Sequence, residues 1–188
     1  GLSGRKRRST RSVDLAATEE AAAILSTAKM IYAFGSGGNS SMIAGEAQNR
    51  LFRLGCRITA TTDHGMWMMQ ASAVRPGDVV FGSSFSGRNA ELVRAFGLAR
   101  DQGAKTIALT QSDSPVAEAA DVVLTVDLPE GENIFRPTST RYAMLAVLDI
   151  LANLVAYTDR TATAATLRRI KENLIRHRDG DDRQLLGD

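Results

Sequence analysis

Short apolar runs alternate along this chain with longer stretches in which apolar residues recur every three or four positions. The short runs are typical of buried strands, and the longer stretches are typical of amphipathic helices. Strands are predicted over residues 30–34, 57–60, 79–82, 106–109 and 122–126. Helices are predicted over residues 14–28, 42–54, 63–74, 89–102, 139–157 and 161–177, with a short one beginning at residues 114–115.

This alternation predicts the fold class. Strands that are apolar along nearly their whole length, separated by helices, indicate a parallel sheet covered on both faces. We therefore expect an α/β three-layer sandwich, in which a five-stranded parallel sheet lies between two layers of helices. In such sheets, ligands bind beyond the carboxyl ends of the strands, at the point where the strand order reverses.

The segment after the third predicted strand is the most informative one, and we call it the serine turn (residues 83–89). It reads Ser83-Ser84-Phe85-Ser86-Gly87-Arg88-Asn89 and leads directly into a helix. Ser84, Ser86 and Asn89 can bond the N–H groups that the first turn of a helix leaves unpaired. A helix start that is rich in donors and free of acidic side chains suits a phosphate. The same three residues are also ordinary helix caps, so the sequence leaves both roles open.

A second loop of similar composition, residues 35–41, follows the first predicted strand and contains Gly35-Ser36-Gly37. A dinucleotide site would need a third glycine where Ser40 stands, and an acidic residue at the end of the next strand, where Thr61 stands. The lysine of a Walker loop is also absent from this loop. Two turns of the same chemistry at one sheet edge favour an anionic ligand, with a tight structural turn as the alternative.

Candidates for acid–base chemistry are scattered along the chain. Asp63 and His64 form one candidate pair, but a helix cap followed by a solvent-facing histidine fits them equally well. Glu46 lies about one turn into its predicted helix and faces either a ligand or solvent. Ser139 and Arg141 open the long helix, where a cation opposes the helix dipole; this favours a ligand-facing role over simple capping.

Charge and cysteine content narrow the function classes. The 188 residues carry a formal net charge of +2 from 23 basic and 21 acidic residues, and five of the basic ones lie in residues 5–11. Without those five, 18 basic and 21 acidic residues remain, which argues against a nucleic-acid surface on the folded domain. Cys56 is the only cysteine, so no internal disulfide can form, which fits a reducing cytoplasm.

The domain organisation follows from the same patterns. We expect a basic flexible tail or linker over residues 1–12, one folded domain over residues 13–180 and a C-terminal tail over residues 181–188.

No apolar run reaches the length of a membrane span, so no membrane contact is expected. No metal site and no cofactor are expected. Because the chain begins with Gly1, the sequence leaves open two interpretations, a fragment of a longer protein and a processed chain.

Several segments taken together resemble a sugar isomerase (SIS) domain over roughly residues 14–177. The hallmark is Ser84-Phe85-Ser86-Gly87-Arg88-Asn89 within the serine turn. It is accompanied by matching segments at residues 31–37, 53–55, 76–80, 104–110 and 114–117. Within this family the chain is most similar to the effector-binding domain of RpiR-type transcription regulators, because Ser139-Thr140-Arg141 opens a long apolar helix and an arginine-rich helix ends the domain.

The resemblance implies a flavodoxin-like five-stranded parallel sheet, a phosphosugar ligand and a homodimer or homotetramer. In SIS domains a Ser-x-Ser-Gly-x-Thr/Ser loop holds the phosphate, a role that carries over to Ser84, Ser86 and Asn89. At position 89 this chain has Asn89 where relatives have a hydroxyl residue. The serine that relatives carry in the first loop falls near Asn39 in this chain. The predicted phosphosugar-binding residues are Ser83, Ser84, Ser86, Gly87, Asn89, Gly37, Asn39, Ser40, Ser139 and Arg141.

The leading hypothesis is a cytoplasmic phosphosugar sensor whose contact with DNA runs only through a separate N-terminal domain outside this chain. The alternatives are a phosphosugar aldose–ketose isomerase and a stand-alone domain that binds carbohydrate derivatives. Isomerisation needs a base beside the substrate carbons, and the candidates are Glu46, Glu132 and His64. Similar hexuloisomerases have a glutamate at the start of the long helix, where this chain has Arg141, so binding without turnover is expected.

Overall fold

All predicted strands and helices are present in the computed structural model, which describes residues 14–128 and 138–177. The strands are β1 (Ile31–Phe34), β2 (Ile58–Thr61), β3 (Val79–Ser84), β4 (Lys105–Thr110) and β5 (Val122–Thr125). The helices are α1 (Leu15–Thr27), α2 (Gly37–Arg53), α3 (His64–Ala73), α4 (Ala90–Asp101), α5 (Pro115–Ala119), α6 (Thr138–Thr158) and α7 (Arg160–His177). The predicted tails at residues 1–12 and 181–188, and the candidate base Glu132, lie outside the described residues.

The five strands form one parallel sheet in the order β2-β1-β3-β4-β5. Ile31 at the start of β1 is in register with Ile58 of β2 on one side and Val79 of β3 on the other. The predicted fold class is therefore confirmed. The strand order reverses between β1 and β3, so the loops after these two strands flank the switch point where ligands bind in such sheets.

Two hydrophobic cores hold the helices on opposite faces of the sheet. One core joins α1, α2 and α6 to side chains such as Ile31 and Phe81, and the other joins α3, α4 and α5 to side chains such as Phe34 and Val80. Side chains on a strand alternate between faces, so each central strand contributes to both cores. In the second core the Phe34 ring stacks on Trp67 with centroids 5.3 Å apart.

Several boundaries differ from the prediction, and two of these differences lie at the switch point. β3 continues to Ser84 because Ser83 and Ser84 pair in register with Leu109 and Thr110 of β4. α2 begins at Gly37, several residues earlier than predicted. A φ of +74° at Gly37 turns the chain directly into the helix, and glycine adopts this conformation without steric cost.

Helix α6 is apolar for much of its length. Within the described residues, Ser139–Thr158 is the one helical stretch long and apolar enough to cross a membrane by length and composition, with a mean hydropathy of 1.3. The sequence prediction recognised no such run. The core helix of a water-exposed domain meets the same criteria, and α6 buries Met144, Leu148 and Leu151 against α1 and α2.

Candidate functional site

Two helix N-termini meet at the switch point. Ser36 is the N-cap residue of α2 and Asn89 is the N-cap residue of α4, and Asn89 Nδ2 donates a hydrogen bond of 3.0 Å to Ser36 Oγ. The N-terminus of a helix carries about half a positive charge through its aligned peptide dipoles. The bond therefore holds two such partial charges side by side beyond the carboxyl ends of β1 and β3.

The interior of the serine turn is held by its first two hydroxyl groups. Ser84 is 4% exposed, and its Oγ accepts a 3.1 Å hydrogen bond from the N–H of Gly87. Ser83 Oγ donates to the carbonyl oxygen of Ser40 over 2.7 Å, which ties the turn to the start of α2. Thr110 Oγ1 donates to the Ser84 carbonyl oxygen over 2.6 Å. These hydroxyl groups shape the turn from inside.

Gly87 allows the turn to pack closely against the loop after β4. Its φ is +65°, and a Cβ atom placed there would lie 2.3 Å from both Cβ and Oγ of Ser114. Its carbonyl oxygen accepts a 3.0 Å hydrogen bond from the N–H of Val116. The predicted importance of Gly87 therefore has a steric basis, because no other residue fits this position without moving its neighbours.

Ser86 and Asn89 form the outer surface of the turn. Ser86 is exposed, and its Oγ accepts from the N–H of Arg88 over a long 3.3 Å. Asn89 is half-buried, and its Oδ1 caps α4 by accepting from the N–H of Leu92 over 3.1 Å. Of the residues predicted to contact a ligand in this turn, these two are the accessible ones.

Backbone donors remain at both helix starts. The first turn of an α-helix leaves its N–H groups without intrahelical acceptors. In α4, Asn89 caps only Leu92, and Ser36 provides no side-chain cap for the first turn of α2. Gly37 and Asn39, both predicted as ligand residues, lie in that first turn of α2, which contains no acidic side chain. At the start of α2, the free donors and the absence of a carboxylate suit an anion.

One prediction about the site is wrong, and two residues that shape the site were not predicted. The start of α4 is not free of acidic side chains, because Glu91 lies in its first turn, where it pairs with Arg94 at 3.4 Å. The sequence prediction also overlooked Ser36 and Thr110, which position Asn89 and Ser84 respectively. A polar residue at the carboxyl end of each neighbouring strand was the available signal for both.

Ser40 also belongs to α2 rather than to a loop. Its carbonyl oxygen accepts from Ser83, and its Oγ accepts from the N–H of Phe85 over 3.3 Å. A Cβ atom at Gly35 would lie 2.0 Å from the Ser40 carbonyl oxygen. The predicted ligand residue Ser40 is therefore engaged by the serine turn and fixes the spacing between the two loops.

The start of α6 lies at the same edge of the sheet. Thr158 at the end of α6 lines a cavity together with Lys29 and Arg57, which precede β1 and β2, so α6 runs from the carboxyl edge to the amino edge. Ser139 is exposed, and Arg141 is half-buried. Arg141 Nε is enclosed and has no hydrogen-bond acceptor among the described residues. A buried donor without an acceptor is costly, which makes Arg141 receptive to an anionic ligand.

Among the candidate bases that the structure describes, Glu46 lies away from the switch point. Glu46 lies nine residues into α2, about 13 Å along the helix from its start, and pairs with Arg50 Nε at 3.1 Å. The prediction that Glu46 lies one turn into the helix is therefore wrong, because α2 begins earlier than predicted. Arg50 also pairs with Asp149 of α6.

The second described candidate base, His64, packs on an aromatic ring and follows a helix cap. His64 is exposed, and its ring lies 4.5 Å from that of Trp67, centroid to centroid. The neighbouring Asp63 caps α3 by accepting from the N–H of Met66 over 2.7 Å. The alternative of a helix cap followed by a solvent-facing histidine is the one that the structure supports.

Two open cavities lie at the amino edge, opposite the switch point. They have volumes of about 520 and 540 Å³ and share Gly55, Cys56, Arg57 and Thr166 in their walls. Burial raises the pKa of the Cys56 thiol. Neither cavity contains a residue of the serine turn, so they are separate from the predicted ligand site.

Comparison with known proteins agrees with this architecture. A family model described as the SIS domain matches residues 24–154. The HTH-type transcriptional regulator HexR of Pseudomonas aeruginosa is 38% identical over 157 residues, which make up 84% of this chain and 55% of HexR. The chain thus spans about half the length of this curated relative.

Two solved structures are similar across most of the chain. The sugar isomerase domain of an RpiR transcription factor from Sphaerobacter thermophilus has a TM-score of 0.76 and 27% identity, covering 85% of this chain and 88% of that one. The Vibrio vulnificus NanR protein in complex with ManNAc-6P has a TM-score of 0.78 and 24% identity, covering 87% of this chain and 61% of NanR. The predicted resemblance to RpiR-type regulators is therefore confirmed, and the chain belongs to the SIS domain family.

Proposed function

We propose that this chain is the effector-sensing domain of a bacterial transcription regulator and that it binds a phosphorylated sugar at the switch point. The observation that carries the proposal is the Asn89–Ser36 bond, which places two helix N-termini side by side. The phosphate would accept hydrogen bonds from Ser86 and from the first-turn N–H groups of α2 and α4. Arg141 would contribute a cation from the start of α6.

Binding without turnover fits the site better than isomerisation. Proton transfer between adjacent sugar carbons needs a base within hydrogen-bond reach of the substrate. Glu46 is held by Arg50 at 3.1 Å, far along α2, and His64 at the start of α3 is exposed and packs on Trp67. The isomerase alternative then rests on His64 and on Glu132, which lies outside the described residues.

The context of the relatives supports a regulatory role. HexR is an HTH-type transcriptional regulator, and NanR was solved in complex with ManNAc-6P. By analogy, this chain would act in the cytoplasm as a homodimer or homotetramer and would reach DNA only through a separate N-terminal domain. Sensing requires that the sugar phosphate bind one arrangement of that assembly more tightly than another.

A thermal-shift screen tests the proposal. The 188-residue chain is melted with a panel of pentose, hexose and amino-sugar phosphates, each beside its unphosphorylated parent. A specific ligand present at a hundredfold excess over its Kd stabilises the chain by about 2.7 kcal/mol. No stabilisation by any phosphosugar, or equal stabilisation by the unphosphorylated parents, would contradict the proposal.

Ser86→Ala separates ligand contact from folding. Ser86 is exposed and makes one long internal hydrogen bond, so its loss should leave the melting temperature nearly unchanged. A hydrogen bond to a charged group is worth about 1.5–3 kcal/mol, so the affinity for the best phosphosugar should fall about 10- to 150-fold. Ser26→Ala, on a half-buried residue at the amino edge, is the control distant from the switch point and should bind normally.

A further inference from the structure

Three basic residues lie side by side at the amino edge of the sheet. Lys29 lies between α1 and β1, Arg57 between α2 and β2, and Arg75 between α3 and β3. The strands that follow them are neighbours in the sheet, in the order β2-β1-β3. Neighbouring strands lie about 4.8 Å apart, so the sheet brings these three cations to adjacent positions. We call them the basic triad.

The basic triad lines a single cavity. This third cavity of the amino edge has a volume of about 380 Å³, and its walls include all three cations together with Met30 and Asp78. Sites for small molecules have volumes of roughly 300–1,000 Å³, so the cavity is large enough for a small ligand. Arg57 also lines the cavities of about 520 and 540 Å³, and therefore joins all three.

The charged groups of the basic triad are available to a ligand. All three residues are exposed, and the guanidinium groups of Arg57 and Arg75 make no ion pair or hydrogen bond with any residue that the structure describes. Lys29 Nζ donates a 3.3 Å hydrogen bond to the carbonyl oxygen of Pro76. A Cβ atom at Gly77 would lie 3.0 Å from Lys29 Cδ, so the lysine side chain packs closely over this turn. Lys29 is thus held in place with donors to spare.

The carboxylate in the wall of this cavity does not neutralise the triad. Asp78 is 9% exposed, and its Oδ2 accepts a 2.9 Å hydrogen bond from the backbone N–H of Arg75, which closes the turn before β3. Cations also stabilise the last turn of a helix, but all three triad residues follow the helix ends, and neither arginine donates to a helix carbonyl. Three positive charges and one engaged negative charge favour an anion with more than one charge.

Phosphate chemistry fits these groups. Arginine binds phosphate oxygens through two parallel hydrogen bonds, and lysine binds them as a point charge. A single phosphate carries at most about two negative charges, whereas a diphosphate carries more and extends toward cations on adjacent strands.

The neighbouring 540 Å³ cavity can hold what is attached to such a group. Its walls combine Arg57 and Arg169 with apolar side chains that include Phe52, Ile58 and Ile170. Phe52 is 59% exposed. An accessible aromatic ring beside cations is suited to stacking with a nucleobase. A nucleotide is therefore one source of the diphosphate, and free pyrophosphate is the other.

We propose that the basic triad binds a diphosphate group in the 380 Å³ cavity. The inference goes beyond phosphosugar sensing and does not depend on it, because no wall residue of this cavity belongs to the serine turn or to α2. Calorimetric titration of the 188-residue chain in EDTA with inorganic pyrophosphate, ADP and AMP tests it. Pyrophosphate and ADP should bind, and AMP, with one phosphate, should bind at least about tenfold more weakly than ADP. Tighter binding of ADP than of pyrophosphate identifies a nucleotide as the source, and equal affinities identify free pyrophosphate.

Arg57→Gln locates the site. It should lower the affinity for pyrophosphate at least about tenfold, because a charge-assisted hydrogen bond is lost. Arg168→Gln removes the same charge from an exposed residue of α7 outside all three cavities, and is the matched control that should bind pyrophosphate normally. Equal losses in the two variants would show non-specific charge attraction and overturn the proposal. Absence of binding at about 1 mM pyrophosphate, or equal affinities for AMP and ADP, would also overturn it.

Ser86→Ala separates this site from the phosphosugar site. It should leave the affinity for pyrophosphate unchanged, and Arg57→Gln should leave the phosphosugar thermal shift unchanged. If Ser86→Ala weakens pyrophosphate binding and Arg57→Gln does not, the diphosphate occupies the serine turn and the assignment to the triad is wrong. If pyrophosphate binds as described and no phosphosugar binds, the proposed function fails while the diphosphate site stands.

Discussion

Replacing Asn89 by aspartate should separate the folding role of this residue from its role in anion binding. Asn89 Oδ1 caps α4 at 3.1 Å from Leu92 N, and an aspartate oxygen can make the same bond. Asparagine and aspartate are comparably good N-caps, and a negative charge at a helix start gains about 0.3–1 kcal/mol from the helix dipole. The Ser36 hydroxyl, now an acceptor, can donate to the new carboxylate. The free energy of unfolding should therefore change by less than about 1 kcal/mol.

Ligand affinity should respond much more strongly. A carboxylate about 5 Å from a phosphate, at an effective dielectric constant of about 20, repels it by roughly 3 kcal/mol per unit charge. This energy corresponds to a loss of roughly 100- to 200-fold in affinity. The phosphosugar that most stabilises the wild type, titrated by calorimetry into wild type and Asn89→Asp, measures the ratio directly.

Two comparisons sharpen the measurement. Asn49→Asp makes the same change on the exposed side of α2, beside Glu46, and should bind normally. Asn89→Ala removes both the cap and the bond to Ser36, and should lower the free energy of unfolding by about 1–3 kcal/mol. If Asn89→Asp binds the phosphosugar within threefold of the wild type, the phosphate does not lie at these helix starts and our reasoning is refuted.

Further predictions concern the turn, the candidate base and the thiol. Gly87→Ala should lower the free energy of unfolding by more than about 2 kcal/mol, because its φ is +65° and its new Cβ would collide with Ser114. Gly38→Ala, which has open space around it, should lower this free energy by less than about 1 kcal/mol. Equal losses of stability in denaturant unfolding would contradict the steric explanation. Glu46→Gln should leave phosphosugar affinity unchanged, and any turnover that it abolished would favour the isomerase. Because burial raises the pKa of the Cys56 thiol, iodoacetamide should modify Cys56 more slowly in the folded chain than in urea. The rate in the folded chain should rise steeply above neutral pH. Equal rates in the folded and unfolded chains would contradict the raised pKa.

Local signals accounted for what the sequence predicted well. Asp14, Asp63 and Ser114 each cap the helix that they were expected to begin, because a cap bond reaches only three residues along the chain. The parallel sheet could be predicted for a similar reason. A strand that is buried on both faces is apolar along nearly its whole length, so its own residues indicate a parallel sheet.

Long-range pairing accounts for what the sequence could not predict. Ser83 and Ser84 belong to β3 because β4 extends beside them, a partner that the local pattern does not reveal. The Asn89–Ser36 bond joins residues 53 positions apart, and the separation of Glu46 from the site follows from the early start of α2 at Gly37. The exposure of α7, which has no buried residue, is likewise invisible in its own amphipathic pattern.

Helix α2 connects the two edges of the sheet. Its seventeen residues span about 25 Å, from Gly37 at the switch point to Phe52 beside α7. Its inner face is buried in the core through Ile43, Ala47 and Leu51, and an exposed ion pair from Arg50 to Asp149 joins its far half to α6. A sugar phosphate bound at the carboxyl edge, as proposed, would therefore contact one end of a rigid rod whose other end borders α7.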